Sequence, residues 1–209
     1  MTLLISEKDH AFIKKNINTS YGRKLMMYNV LNFTPEYAKE LYDLIDPNYY
    51  ITDEVQLLKV YIDYPPLELG DKYYNFKAED SNRNEVKFSE YFDGKYVMLD
   101  FSTLNCGFCQ EAAPKTAVIA DSLKDQVTYV TFYTGNDKKD KHKYYSELKG
   151  NKGILLSHSD NELFKIITMY RMTGTPSYFL FNPEGYLIEK LKGIQDDDFQ
   201  EKIEELISK

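Results

Sequence analysis

The chain has 209 residues, 43% of them hydrophobic and 28% charged, with a formal net charge of −7. That length suits one domain of ordinary size with a smaller appendage, and the composition supports a packed core. The acidic balance excludes the basic face of a nucleic-acid binder and argues against an anionic membrane surface as partner.

No apolar run approaches the roughly 18 residues that cross a bilayer. The opening Met1-Thr2-Leu3-Leu4-Ile5-Ser6-Glu7 is too short for a signal-peptide core and lacks a basic leader. A soluble chain is the expectation, either as such or as part of a longer precursor.

Residues 7–62 read as helical. Glu7 to Asn18 carries Ala11, Phe12 and Ile13, and Gly22 to Leu31 carries Leu25, Met26, Tyr28, Val30 and Leu31. Thr34-Pro35-Glu36 combines an N-cap, a first-turn proline and an early acid. It opens a helix with apolar residues at 37, 38, 41, 44 and 45, which Asp46-Pro47-Asn48 stops. Thr52 caps a last helix with Val55, Leu58, Tyr61 and Ile62 on one side. The Pro65-Pro66 pair then marks a linker, so residues 1–64 are expected as a helical N-terminal segment and 67–209 as the main domain.

The main domain opens at Leu67-Glu68-Leu69-Gly70-Asp71-Lys72. Tyr73 to Ala78 and Val86-Lys87-Phe88, around Ser81-Asn82-Arg83-Asn84, read as a β-hairpin. Lys95 to Ser102 is a central strand, and a helix follows to about Leu123. Val127 to Tyr133 is a buried strand rich in β-branched and aromatic residues. Gly135 to Lys143 is a charged, solvated loop or helix start, and Gly153 to Leu156 is a short apolar run. Asn161 to Met172 reads as a helix with Leu163, Phe164, Ile167 and Tyr170 inward. Ser177 to Phe181, the turn Asn182-Pro183-Glu184-Gly185 and Tyr186 to Leu191 form a second hairpin. Asp196 to Ile207 is a closing helix. Strands alternating with helices predict an α/β fold, a central mixed sheet covered on both faces.

The only two cysteines stand in Cys106-Gly107-Phe108-Cys109, between the central strand and its helix. There the unpaired N–H groups and dipole of the helix start favour a thiolate on Cys106. Cys109 is one helical turn on, within reach. Disulfide exchange is one reading of the pair and a structural disulfide the other. A zinc site needs about four ligands, but there is no second cysteine pair, and His10, His142 and His158 form no spaced pair. Haem attachment wants a histidine after the second cysteine, where Gln110 stands.

Together these residues resemble the active-site segment of the thioredoxin superfamily, and in particular the TlpA/ResA-type redoxins, thiol-disulfide oxidoreductases of bacterial cell envelopes. Asp100 stands six before Cys106, where thioredoxins carry a buried acid. Pro114 stands five after Cys109, where they carry a helix-bending proline. Gly174-Thr175-Pro176-Ser177 resembles their cis-proline loop, and residues 70–97 resemble the redoxin opening segment. Asn105 and Phe108 depart from the usual tryptophan and proline. The helical stretch Phe12 to Ser20 resembles one that precedes the redoxin domain in secreted Bacteroidetes-type TlpA-like proteins.

The resemblance implies a thioredoxin fold with a redoxin-type N-terminal β-hairpin over 67–209, carrying an N-terminal α-helical appendage. It implies that Cys106 attacks a substrate disulfide and Cys109 resolves the mixed disulfide, with no cofactor or metal. Asp100, buried in an apolar strand, would accept the Cys109 proton. A cis bond at Thr175-Pro176 would set the Thr175 backbone opposite Cys106 to receive an extended substrate, with Phe108 nearby. The implied partners are disulfide-bearing protein substrates and a thiol-disulfide electron donor. The implied location is the cell envelope or periplasm; without an address signal in the chain, the cytoplasm stays open. Two other functions compete: a thiol peroxidase and a redox-inert binding module. Thr103 is placed as in the peroxiredoxin Thr-x-x-Cys, but Leu99 stands where that motif wants proline.

Overall fold

A computed structural model of the chain describes residues 6–158, 162–192 and 199–208, without the side chain of Lys138. It divides into two compact units, Met1–Pro66 with Phe164–Thr173, and Leu67–Leu163 with Gly174–Lys209.

The first unit is helical. α1 (Glu7–Asn16) starts in a capping box, in which Ser6 accepts from the Asp9 N–H and Asp9 accepts from the Ser6 N–H. α2 (Ser20–Asn29) begins two residues before the expected Gly22, because the Thr19 hydroxyl caps it. Gly22 serves close approach here: a Cβ would lie 2.0 Å from the Asn16 carbonyl oxygen. α3 (Pro35–Leu44) is capped by Thr34 through the Tyr37 N–H, and α4 (Asp53–Asp63) follows. Thr52 precedes α4 but donates to the Tyr49 carbonyl and makes no side-chain cap. Ile13, Met26, Ala38, Leu41, Val55 and Leu58 are wholly buried between these helices.

The second unit holds a seven-stranded mixed sheet in the order β2-β1-β5-β4-β3-β6-β7. β1 (Lys77–Glu79) and β2 (Glu85–Lys87) pair antiparallel as Ala78↔Val86. This hairpin is shorter than Tyr73–Ala78 because rings anchor the leading residues: Tyr73 stacks on Phe92 at 4.2 Å and Phe76 on Phe88 at 4.9 Å. β3 (Tyr96–Ser102) is buried from Val97 onward, as a strand covered on both faces must be. Period-2 alternation points Val97, Leu99 and Phe101 to one face and Met98, Asp100 and Ser102 to the other. Phe101 joins the aromatic cluster of Phe132 and Phe179. Met98 joins Ala112, Ile119, Tyr129, Tyr178 and Phe199.

α5 (Gly107–Ser122) crosses to β4 (Val127–Tyr133), which lies parallel to β3 from Tyr96↔Val127 to Ser102↔Tyr133. The charged stretch after β4 is helical: α6 (Lys138–Lys143), capped by Asp137, runs into a π-turn (Tyr144–Leu148). β5 (Ile154–Ser157) then pairs parallel with β4.

α7 (Leu163–Met169) buries Ile166, Thr168 and Met169. Phe164 is 58% exposed and Leu163 and Ile167 are half-buried, so of the four residues expected inward only Tyr170 is fully covered. Helical period tells which residues share a face, not which face meets the core. Residues Phe164–Thr173 group with the helical unit. There the Arg171 guanidinium lies 3.5 Å over the Tyr61 ring and donates to the Tyr64 carbonyl at 2.8 Å.

β6 (Ser177–Phe181) runs antiparallel to β3 as Asp100↔Tyr178 and Phe101↔Ser177. The Asn182–Gly185 turn, with Gly185 at φ +88°, leads to β7 (Leu187–Lys192). α8 (Phe199–Ile207) closes the chain; the expected Asp196–Asp198 start, like Asn161 before α7, lies outside the described residues.

Candidate active site

Because β6 is antiparallel to β3, the chain leaving β3 and the chain entering β6 meet at one end of the sheet. That end also holds the carboxyl ends of the parallel strands, where α/β sheets place their sites. The loop after β3 is held in place before the first cysteine. The Leu104 N–H reaches the Tyr133 hydroxyl at 3.4 Å, Gln110 donates to the Leu104 carbonyl at 2.6 Å, and Asn105 donates to Asp140 at 3.3 Å.

Cys106 is the N-cap of α5, with extended backbone (φ −133°, ψ 114°), and its sulfur accepts from the Cys109 N–H at 3.3 Å. As a thiol it donates to the Thr175 carbonyl at 3.3 Å. The Thr175-Pro176 bond is cis and Pro176 is buried. Both cysteines are free thiols, Cys106 half-buried and Cys109 fully buried.

Their chemistry diverges. Burial pushes the Cys106 thiol up. Hydrogen bonds with the Cys109 thiol, the Thr175 side chain and the N–H groups of Cys109 and Phe108 outweigh that and hold it below the ordinary thiol value. Cys109 is pushed up to about 12, first by burial and then by its bond to Cys106. A sulfur poised as a thiolate therefore faces outward, beside one kept as a thiol. Cys109 packs with Ala113, Tyr133, Tyr144 and Leu155.

Asp100 is wholly buried and accepts from the Ser102 hydroxyl and, at 3.1 Å, from Tyr129. Lys149, also wholly buried, brings its Nζ to 3.6 Å of the carboxylate. Burial raises Asp100, opposed by the Lys149 charge and these hydrogen bonds. Burial lowers Lys149 to about 8, opposed by Asp100. Tyr144 and Tyr178 are raised by burial, and each feels the charge of Asp100 and of both cysteines.

The structure thus brings Cys106, Cys109 and Thr175 together, with Asp100 in the buried layer. Phe108 points outward and is 66% exposed beside the reactive sulfur. Pro114 lies within α5, where its missing N–H removes one helical bond. Sequence reasoning missed Lys149, Tyr129 and Tyr144. Lys149 stands in Leu148-Lys149-Gly150-Asn151-Lys152, which reads as surface.

Comparison with known proteins matches residues 69–190 to the AhpC/TSA family. The chain is 28% identical over 125 residues to the thiol-disulfide oxidoreductase ResA of Bacillus subtilis, covering 59% of this chain and 67% of ResA. Among solved structures, the thioredoxin domain of a thiol-disulfide oxidoreductase from Bacteroides vulgatus superposes with a TM-score of 0.61 at 24% identity, over 68% of this chain and 99% of that domain. A thiol:disulfide interchange protein from a Bacteroides species gives 0.61 at 24% identity, over 68% of this chain and 92% of the other. With 122 of its 209 residues inside that match, on a thioredoxin fold, the chain belongs to the AhpC/TSA family of the thioredoxin superfamily and is a homologue of ResA.

Proposed function

We propose that the chain is a thiol-disulfide oxidoreductase that reduces protein disulfides through Cys106-Gly107-Phe108-Cys109. The observation that carries this reading is the inequality of the two thiols: a half-buried, hydrogen-bonded Cys106 at a helix start and a buried Cys109 pushed up to about 12. The Cys106 thiolate attacks one sulfur of a substrate disulfide, forming a Cys106–substrate bond and expelling the other sulfur as a thiolate. Cys109 passes its proton to the Asp100 carboxylate and attacks Cys106. The Cys106–Cys109 bond forms, the second substrate sulfur leaves as a thiolate, and the substrate departs reduced by two electrons. A dithiol donor protein returns the enzyme to its reduced state by the reverse exchange. The exposed Phe108 and the Thr175 backbone offer an apolar contact and a strand-like edge to an extended substrate. A cell-envelope location is supported by the resemblance to envelope redoxins; among the described residues no helix is long and apolar enough to cross a membrane.

Insulin reduction in the presence of a small dithiol, set beside hydroperoxide consumption, tests the reading. Insulin should be reduced by the wild type and not by Cys106→Ser. Consumption of hydroperoxide in place of insulin reduction would make the chain a peroxidase, and the absence of both would make it a binding module.

A further inference from the structure

Cys109 is buried, yet it must give up its proton to resolve the mixed disulfide. The loop that follows β3 faces its sulfur, and that loop is held from the β4 side. β4 runs beside β3 as far as Ser102↔Tyr133, the last pair of the register. From there each of residues 102–105 is tied to a residue within 133–140. The Ser102 carbonyl accepts from the Thr134 N–H at 2.9 Å and from the Thr134 hydroxyl at 3.3 Å. The Thr103 hydroxyl and, at 3.4 Å, the Leu104 N–H bond to the Tyr133 hydroxyl oxygen. The Asn105 amide donates to Asp140 at 3.3 Å.

Tyr133 is the centre of these ties. Its ring is wholly buried and packs with Cys109, Ala113, Tyr144 and Leu155. Gly135 leaves room for it: a Cβ there would lie 2.6 Å from Cε1 and 2.8 Å from the hydroxyl oxygen of Tyr133. The ring is therefore held between the core and the Gly135 backbone. In the loop so placed, the Thr103 N–H bonds to the Cys109 sulfur and favours its thiolate. Of the other groups about this sulfur, Cys106 opposes the charge and the Thr175 side chain favours it. Tyr144 from the π-turn and Tyr178 from β6 are kept protonated by burial. Asp100 and Lys149 offset each other's charge at 3.6 Å, and Asp137 and Asp140 at the α6 start act on Tyr133.

We infer that Tyr133 is a positioning residue for the resolving step: by holding Thr103 and Leu104, its hydroxyl aims the Thr103 N–H at the Cys109 sulfur. This rests on the exchange mechanism proposed above. The N–H acts on the thiolate that Cys109 becomes as its proton passes to Asp100, a charge that a buried atom holds poorly unless it is hydrogen-bonded. Cys106 is supported otherwise. Its N–H partners belong to Phe108 and Cys109 inside α5, and Gln110 of α5 ties the Leu104 carbonyl at 2.6 Å. Attack therefore rests on the helix start, and resolution on the loop that Tyr133 holds.

The test uses an aromatic disulfide that releases one coloured thiolate when Cys106 attacks and a second when Cys109 resolves, followed by stopped flow across pH. Tyr133→Phe keeps the ring and removes the hydroxyl. It should slow the second phase by about tenfold at neutral pH and move its pH profile up by about one unit, with the first phase at the wild-type rate. Gly135→Ala, which displaces the ring, should follow it. Thr103→Val should slow the second phase in the same direction and Thr103→Ser should restore it. Thr103→Val should add little to Tyr133→Phe, because the two remove one contact. The Thr103 variants decide the matter if Tyr133→Phe does not fold. An unmoved second phase, or equal slowing of both phases, overturns the role of Tyr133 and leaves the exchange mechanism standing. A wild type that never shows a second phase overturns the mechanism, and this role with it.

Discussion

Two thiols three residues apart differ because one caps a helix and the other lies beneath it. Alkylation should report that difference. Brief treatment of the reduced protein, mapped by peptide mass, should label Cys106 at neutral pH and spare Cys109. Since its hydrogen bonds hold Cys106 below the ordinary thiol value, its labelling rate should level off below the roughly 8.5 of a free cysteine. Equal labelling would contradict the account. The Asp100–Lys149 pair makes a second prediction. Removing one member of a buried pair costs about 3–5 kcal/mol, whereas removing both is often neutral or stabilising. Lys149→Met should lower stability at neutral pH, and Asp100→Asn added to it should restore most of the loss. The sign with pH follows from the raised carboxyl. Its folded value lies above its unfolded one, so stability is retained in acid and lost as pH rises through the folded value. The Lys149→Met deficit, read by urea unfolding, should therefore shrink in mild acid; a deficit independent of pH would rule out the charge as its cause. Cys106 and Cys109 stood out as the only two cysteines, whereas Asp100 and Thr175-Pro176 were singled out by their resemblance to thioredoxin positions and by no pattern of their own. Lys149 was not, because lysines in a charged run read as surface and only its burial marks it out.

At the scale of elements, the stretch most open to test is the π-turn. Deleting the exposed Ser146 restores α-helical count and turns Lys149 outward by about 100°. Stability should then fall as in Lys149→Met, with the far-ultraviolet circular dichroism preserved. Stability equal to the wild type would mean that the π-turn does not set the lysine. This element was invisible in the sequence, since a single inserted residue leaves the charge run looking like any solvated helix. β4 was read residue for residue because its β-branched and aromatic run has no helical alternative of comparable strength. The start of α2 was misjudged because glycine argues against a helix interior, yet Gly22 is required by the approach of Asn16. The inward face of α7 was misjudged because its apolar residues occur on more than one side.

At the scale of the whole molecule, the linear order of the chain hides its organisation. The helical unit is built from the N-terminal residues and from Phe164–Thr173, a pairing across about a hundred residues that no local pattern announces. Arg171 fastens that unit, stacking on Tyr61 and donating to the Tyr61 and Tyr64 carbonyls. Its loss in Arg171→Ala should cost about 2 kcal/mol by denaturant unfolding, and Arg171→Lys should recover only part, because a point charge replaces a planar fork. Unchanged stability would remove that fastening. A central mixed sheet, by contrast, was expected from strands alternating with helices and a closing hairpin; its order, with β6 beside β3, is what carries the Thr175 carbonyl to Cys106. The most direct measurement of the central claim is a trap. Reduced Cys109→Ser is incubated with insulin and analysed by mass spectrometry without reductant. The account predicts a covalent insulin-chain adduct on Cys106, and none from Cys106→Ser. No adduct from Cys109→Ser, or an equal adduct from Cys106→Ser, would contradict it.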